Sequence, residues 1–151
     1  MNATSKITPF ALAILALLAI SFGAIAAAPY GRYTIGTDTV VDLETQLTWQ
    51  RVPPASTYTA SGASAYCQSL SLGGVSSGWR LPSVRELQTL TDETLFEPAI
   101  DSTAFPPAGG TAFWTSTPWN ETPTNIFYVD FYDGSSNWAS PSTDNYVRCV
   151  H

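Results

Sequence analysis

Along this chain apolar and polar positions alternate, then recur at helical spacing, then alternate again. Thr39-Val40-Val41 and Leu47-Thr48-Trp49 are short β-branched and aromatic runs on either side of polar Asp42 to Gln46, which predicts a hairpin or paired strands. From Ala60 to Leu72 the small and apolar positions Ala63, Tyr66 and Leu70 recur at the helical period, and Gly73-Gly74 stands where a helix C-cap would. Cys67 therefore belongs to a first helix. Past a Gly- and Ser-rich turn from Gly73 to Gly78 and the run Trp79-Arg80-Leu81-Pro82, Ser83-Val84-Arg85-Glu86 has the S-x-x-E form of a capping box. Val84, Leu87 and Leu90 then give the buried stripe of a second helix. Pro98, Pro106, Pro107 and a glycine pair make Leu95 to Gly110 a long ordered loop. Beyond it Phe113 to Thr117, Ile126 to Tyr132 and Tyr146 to Val150 are strand-like, with Asp133-Gly134 as a hairpin turn. Strands, two helices and further strands is an α+β order.

The amino-terminal segment has a different character. Lys6 is its only positive charge, Phe10 to Ala28 carries no charge at all, and small residues close it, the architecture of an export signal. Ala24-Ile25-Ala26 is the best cleavage site, since a cut after Ala28 would place Pro29 directly behind the scissile bond. The expected organisation is a signal peptide at 1–26, a linker at 27–34 and one domain at 35–151. The competing reading is an uncleaved anchor, for which the apolar run is just long enough. Export places the protein in the periplasm, on the cell surface or outside the cell, and only the anchor reading puts it in a membrane.

Without Lys6 the chain keeps five arginines (Arg32, Arg51, Arg80, Arg85, Arg148) against twelve acidic residues, a net charge of −7. That sign repels phosphate backbones and sulfated polysaccharides, so nucleic acid is not an expected partner. Hydrophobic residues make up 44% and aromatic residues 13% of the 151 positions, enough for one folded core. Cys67 and Cys149 are the two cysteines, and an even count in an exported chain points to one disulfide, the alternative being two buried free thiols.

Several segments together resemble one bacterial family. They are Thr39 to Gln50, Tyr66-Cys67, Gly78 to Pro82 with Glu86-Leu87, Phe113 to Thr117, Tyr128 to Ser135, and Tyr146 to Cys149. In this order they are similar to the Lcl C-terminal domain, named for a collagen-like adhesin, over nearly all of Ile35 to Val150. The resemblance implies a C-type-lectin-like fold, with two helices flanking small antiparallel sheets and a cysteine on the first helix bonded to one on the last strand. The naming adhesin binds sulfated polysaccharides through a basic surface. This chain has no collagen-like repeat and is acidic, so that ligand class is not expected here.

Candidate chemistry is sparse. The tract Arg80 to Glu86 and the ending Val147 to Val150 also resemble formylglycine-generating enzymes, which need a close pair of redox-active cysteines, and Cys149 has no near neighbour. A disulfide would leave no thiolate for such chemistry. The only histidine is His151, poorly placed for a held general base, and nitrogen or sulfur metal ligands are equally scarce. Asp130 with Asp133 and Glu93 with Glu97 are carboxylate pairs by count, although the first brackets a turn and the second sits where a helix ends. Pro118-Trp119-Asn120-Glu121 and Pro123-Thr124-Asn125 share residue types, but not a motif, with the calcium and sugar loops of lectins. No cofactor is expected.

Tryptophans remain. Trp49, Trp79 and Trp114 fall in strand-like motifs and read as core. Trp119 and Trp138 fall in polar contexts that read as loops, beside Asn120 and Asn137. They either stack on a sugar ring or a partner protein, or cap the edge of a sheet. Trp119, Asn120 and Trp138 are thus the candidate ligand residues. The expected function is an exported, non-catalytic binding or adhesion-type module for an unknown glycan or protein, with a structural subunit of a surface assembly as the alternative.

Overall fold

A computed structural model describes residues 31–122 and 124–151; the expected signal segment and the first part of the linker lie outside them. Among the described residues no helix is long and apolar enough to cross a membrane. Among the described residues six strands and two helices form an α+β domain. They are β1 (Tyr33–Ile35), β2 (Thr39–Asp42), β3 (Thr48–Gln50), α1 (Ala60–Ser69), α2 (Val84–Gln88), β4 (Ala112–Pro118), β5 (Ile126–Asp130) and β6 (Ser135–Ala139). The strands make two antiparallel sheets, β1-β2-β3 and β4-β5-β6.

The first sheet reaches further back than the expected linker allows. β1 pairs with β2, and Arg32 just ahead of it donates from Nε and Nη2 to the two Asp42 oxygens at 3.0 and 2.7 Å. Asp42 is fully buried and also accepts from the Glu44 amide and the Thr45 hydroxyl. Burial pushes its carboxyl up, but the Arg32 fork and the other donors outweigh it and leave the group below the ordinary carboxylate value. The folded unit therefore includes Arg32 to Ile35.

The two helices lie on opposite faces of the second sheet. Val129 and Phe113 point to the core that α2 closes with Leu87, which also holds Val40, Trp49, Phe105, Phe131 and Val150; Leu90, expected on the second helix, reaches the same core from the turn after it, because the helix ends at Gln88. Trp114, on the other side of β4, packs under α1 with Ala63, Cys67, Trp79, Leu81 and Val147. Adjacent strand residues point to opposite faces, so one strand feeds both cores. The three tryptophans read as core are indeed buried, Trp49 and Trp114 fully and Trp79 to 2% exposure.

The last six residues join the two sheets. The Trp114 amide donates to Tyr146 O and the Tyr146 amide to Ala112 O, alongside β4. The Gln50 amide then donates to Cys149 O, and Val150 exchanges hydrogen bonds with Arg80. Tyr146 to Val150 thus forms separate bridges to Phe113, Trp49 and Arg80 rather than the regular strand its residues predict, because it changes partners midway. Cys67 on α1 is bonded to Cys149 in this segment.

Local signals set the helix ends. Thr59 caps α1 through its hydroxyl, which accepts from the Gly62 amide. The helix stops at Ser69, before Leu72, which instead exchanges hydrogen bonds with Val75 across the Gly73-Gly74 turn. At α2 the capping box forms: Ser83 Oγ accepts from the Glu86 amide, and the Glu86 carboxylate accepts from the Ser83 amide. Arg80 adds a bidentate pair to Glu86, at 2.9 and 2.6 Å.

The Arg80 bond, opposed by partial burial and helped by Ser83, holds Glu86 down from 4.5 to about 2. A carboxyl with a depressed folded-state value contributes stability above pH 4.5 and loses it as pH falls through about 2. Gln at this position keeps the capping form but not the charge. Glu86→Gln is expected to cost about 1–2 kcal/mol at neutral pH, discounted for the half-exposed Arg80, and to flatten the acid limb of stability between those pH values. Urea unfolding across pH 2–7 checks this, and an unchanged acid limb contradicts it.

Candidate functional site

Trp119 and Trp138 stack on one another. Their ring centroids are 4.2 Å apart and their planes 7° from parallel. Trp119 follows β4 where the chain doubles back, its amide donating to Asn125 O at 2.8 Å. Trp138 is not in a loop, as its polar neighbours suggest, but on β6 opposite Phe127 of β5. The β5–β6 hairpin, turned at Gly134 with a φ of 81° that a side chain would strain, brings Trp138 back beside Trp119.

Trp119 is half-buried, whereas Trp138 keeps 47% of its surface exposed. An indole already held flat by a neighbour loses little rotamer freedom when a second ring stacks on it. Asn120 is exposed next to Trp119. Asn137 does not join them, because it alternates to the other face of β6 and donates to Ser135 Oγ.

Two polar groups that the sequence did not single out share the Trp138 face. Ser136, two positions along β6, accepts through its hydroxyl from the Gln88 side-chain amide of α2 at 3.2 Å. Once Ser135 to Ala139 is known to be a strand, period-two alternation finds Ser136. Gln88 comes only from the packing of α2.

The remaining candidates separate. Asp130 and Asp133 cap the hairpin turn, accepting from the Tyr132 and Ser135 amides. The Ser135 hydrogen bonds hold Asp133 below the ordinary carboxylate value. Among the described residues no group of three or more His, Cys, Asp or Glu side chains is placed to hold a metal ion. Both cysteines are consumed in one bond, which leaves no thiolate for chemistry of the formylglycine-generating kind. Arg32 and Arg80 are tied to carboxylates and Arg148 is buried. On the α1 side an open groove of about 330 Å³ is lined by Ser61, Ser64, Thr115, Ser116, Ile126 and Pro141. It has hydroxyls but no aromatic floor.

The family model described as the Lcl C-terminal domain matches residues 38–151. No curated protein matches the chain.

Proposed function

This chain belongs to the Lcl C-terminal domain family, and from that premise we propose that it is an exported, non-catalytic binding module with a lectin-like scaffold, which takes a neutral glycan on the Trp138 face. The observation that carries this reading is the preordered stack, with Trp138 47% exposed on the strand face that also carries the Ser136 hydroxyl and its Gln88 amide partner. Sugar rings present apolar C–H faces to such a surface and hydroxyls to the amides around it. Export is supported by the signal-like segment at 1–26 and by a disulfide, which forms and persists outside the reducing cytoplasm.

A glycan array with the purified protein is the test, followed by titration of the best neutral hit. Trp138→Ala is expected to weaken binding by about 1–3 kcal/mol, the range for losing an aromatic anchor, with little change in fold stability because the ring is half exposed. Trp119→Ala acts indirectly by freeing Trp138 and has a smaller effect. Binding is expected to vary little with salt, and heparin-like polymers are expected not to bind. Wild-type affinity in both variants, or salt-sensitive capture of a sulfated polymer, contradicts the reading.

The alternative, a structural subunit of a surface assembly, draws on a second exposed aromatic pair. Phe96 and Tyr132 meet edge to face at 4.7 Å and are 63% and 42% exposed. Apolar exposure of that kind suits a protein contact.

A further inference from the structure

Phe96 and Tyr132 come from two segments that the backbone holds together. The Glu97 amide donates to Tyr132 O at 2.9 Å and the Ala99 amide to Phe131 O at 2.7 Å, which fixes the loop after α2 against the turn between β5 and β6. Gly134 of that turn also packs on the loop: a Cβ there would stand 3.5 Å from Thr91 Cβ and 3.6 Å from Ala99 Cβ. Within the loop, Asp92 Oδ1 accepts from the Thr94 amide and hydroxyl, and Asp92 O accepts from the Leu95 amide. The two rings are therefore mounted on a fixed backbone.

Neither ring belongs to the two buried cores. Phe96 is the most exposed large hydrophobic residue among those described, although it meets Tyr132 edge to face. Aromatic surface that the fold holds in place and does not use for its own core marks a contact. The charge around it decides what kind. Glu97 follows Phe96 in the chain and is hydrogen-bonded through its backbone to Tyr132, and Asp133 follows Tyr132; both acids are exposed. Asp92, Glu93 and Asp130 add negative charge in the same two segments, and the sequence has no lysine, arginine or histidine between Glu86 and Val147. Among the described residues none of these carboxylates takes part in an ion pair.

A second copy of the chain would bring the same acids face to face and be repelled. A cation suits both parts of the surface, since the ring quadrupole and the carboxylates attract it alike. Guanidinium fits better than ammonium, because it is planar, weakly hydrated and able to stack on a ring while donating hydrogen bonds.

We propose that Phe96 and Tyr132, flanked by Glu97 and Asp133, are a docking surface for an arginine-bearing segment of a partner protein. This assigns the partner chemistry for the structural-subunit reading of the same aromatic pair, and it rests on that reading. It shares no residue with the Trp138 face.

Amide NMR spectra of the purified protein, titrated with an end-capped Gly-Arg-Gly-Arg-Gly peptide, test the assignment. Saturable shifts are expected at Phe96, Glu97, Tyr132 and Asp133, weakening as salt is added because exposed charges are screened. The citrulline counterpart, which has the shape of arginine without its charge, is expected to leave those amides unmoved. Phe96→Ser is expected to weaken binding about fivefold. The pair Glu97→Gln with Asp133→Asn, which keeps both rings and an acceptor for the Ser135 amide, is expected to weaken it severalfold and decides the matter should Phe96→Ser fail to fold. Equal shifts with the citrulline peptide or with a leucine counterpart would leave the surface a protein contact and overturn the arginine assignment. Self-association in sedimentation velocity that Phe96→Ser abolishes would overturn it in favour of a second copy. Arginine-peptide affinity unchanged in both variants also overturns it, and no shift with any of these peptides, in a protein that stays monomeric, removes the structural-subunit reading with it.

Discussion

Replacing Cys67 by serine is expected to lower the unfolding free energy of the oxidised protein by about 4.5 kcal/mol, and Tm by about 10–20 °C. The bond closes a loop of 82 positions between α1 and the segment that joins the two sheets. Without it the unfolded chain gains the entropy of that loop, and the carboxy-terminal segment holds only by its bridges to Trp49, Arg80 and Phe113. Both sulfurs belong to fully buried residues, so the native protein should show no titratable thiol until it is unfolded and reduced. Urea unfolding of Cys67→Ser beside wild type in reductant is the measurement, and the two curves should coincide. A loss below about 1 kcal/mol would mean that the segment is held by packing alone. For a domain of ordinary stability, the expected loss is a third or more of the total.

Arg148→Met is expected to cost about 3–5 kcal/mol, although it removes a buried charge. Burial without a carboxylate pushes the guanidinium down, to about 9, and still leaves it charged at neutral pH. Replacing an unpaired buried cation by an apolar side chain of similar length relieves desolvation, and on that ground alone the variant would gain stability. The opposing cost is larger. Three backbone carbonyls, of Gln50, Arg51 and Pro106, would each lose their Arg148 donor inside the protein, at about 1–3 kcal/mol apiece. These carbonyls lie on the end of β3 and on the long loop before β4, so Arg148 ties that loop to the first sheet. Chemical denaturation at neutral pH checks the balance; a variant as stable as wild type would show that desolvation of the cation outweighs the carbonyl bonds. The slope of the curve should stay constant, since the same surface is exposed on unfolding.

Much of the local structure was legible because its causes lie within a few residues. Ser83 and Glu86 meet across three positions, and the capping box forms as the pattern predicts. The same holds for α1, whose small and apolar spacing places Ala63 and Cys67 on its buried side. Asp133-Gly134 turns the β5–β6 hairpin as its residues require. Trp49, Trp79 and Trp114 are core because large apolar rings in strand-like runs have nowhere better to go.

The strand β6 was not legible. Ser135-Ser136-Asn137-Trp138-Ala139 has little strand propensity of its own, and only the ladder to β5 makes it extended. From that one omission Trp138 reads as a loop residue and Asn137 as its companion, whereas strand alternation separates them and brings Ser136 in instead. In the same way Tyr33 to Ile35 becomes a strand because β2 lies beside it and Arg32 has Asp42 to bind.

By itself the sequence determined the class of the fold, the staple between Cys67 and Cys149, the caps and turns, and the three tryptophans of the core. Each depends on residue type, count or spacing within a few positions. Tertiary structure alone decided that Trp119 and Trp138 stack, that Gln88 reaches Ser136, and that Arg148 is buried against carbonyls and phenyl rings with only Nε unpaired among the described residues. Those contacts join residues 19 to 98 positions apart, and their geometry depends on which strand lies beside which, a choice made by burying both faces of the β4-β5-β6 sheet at once.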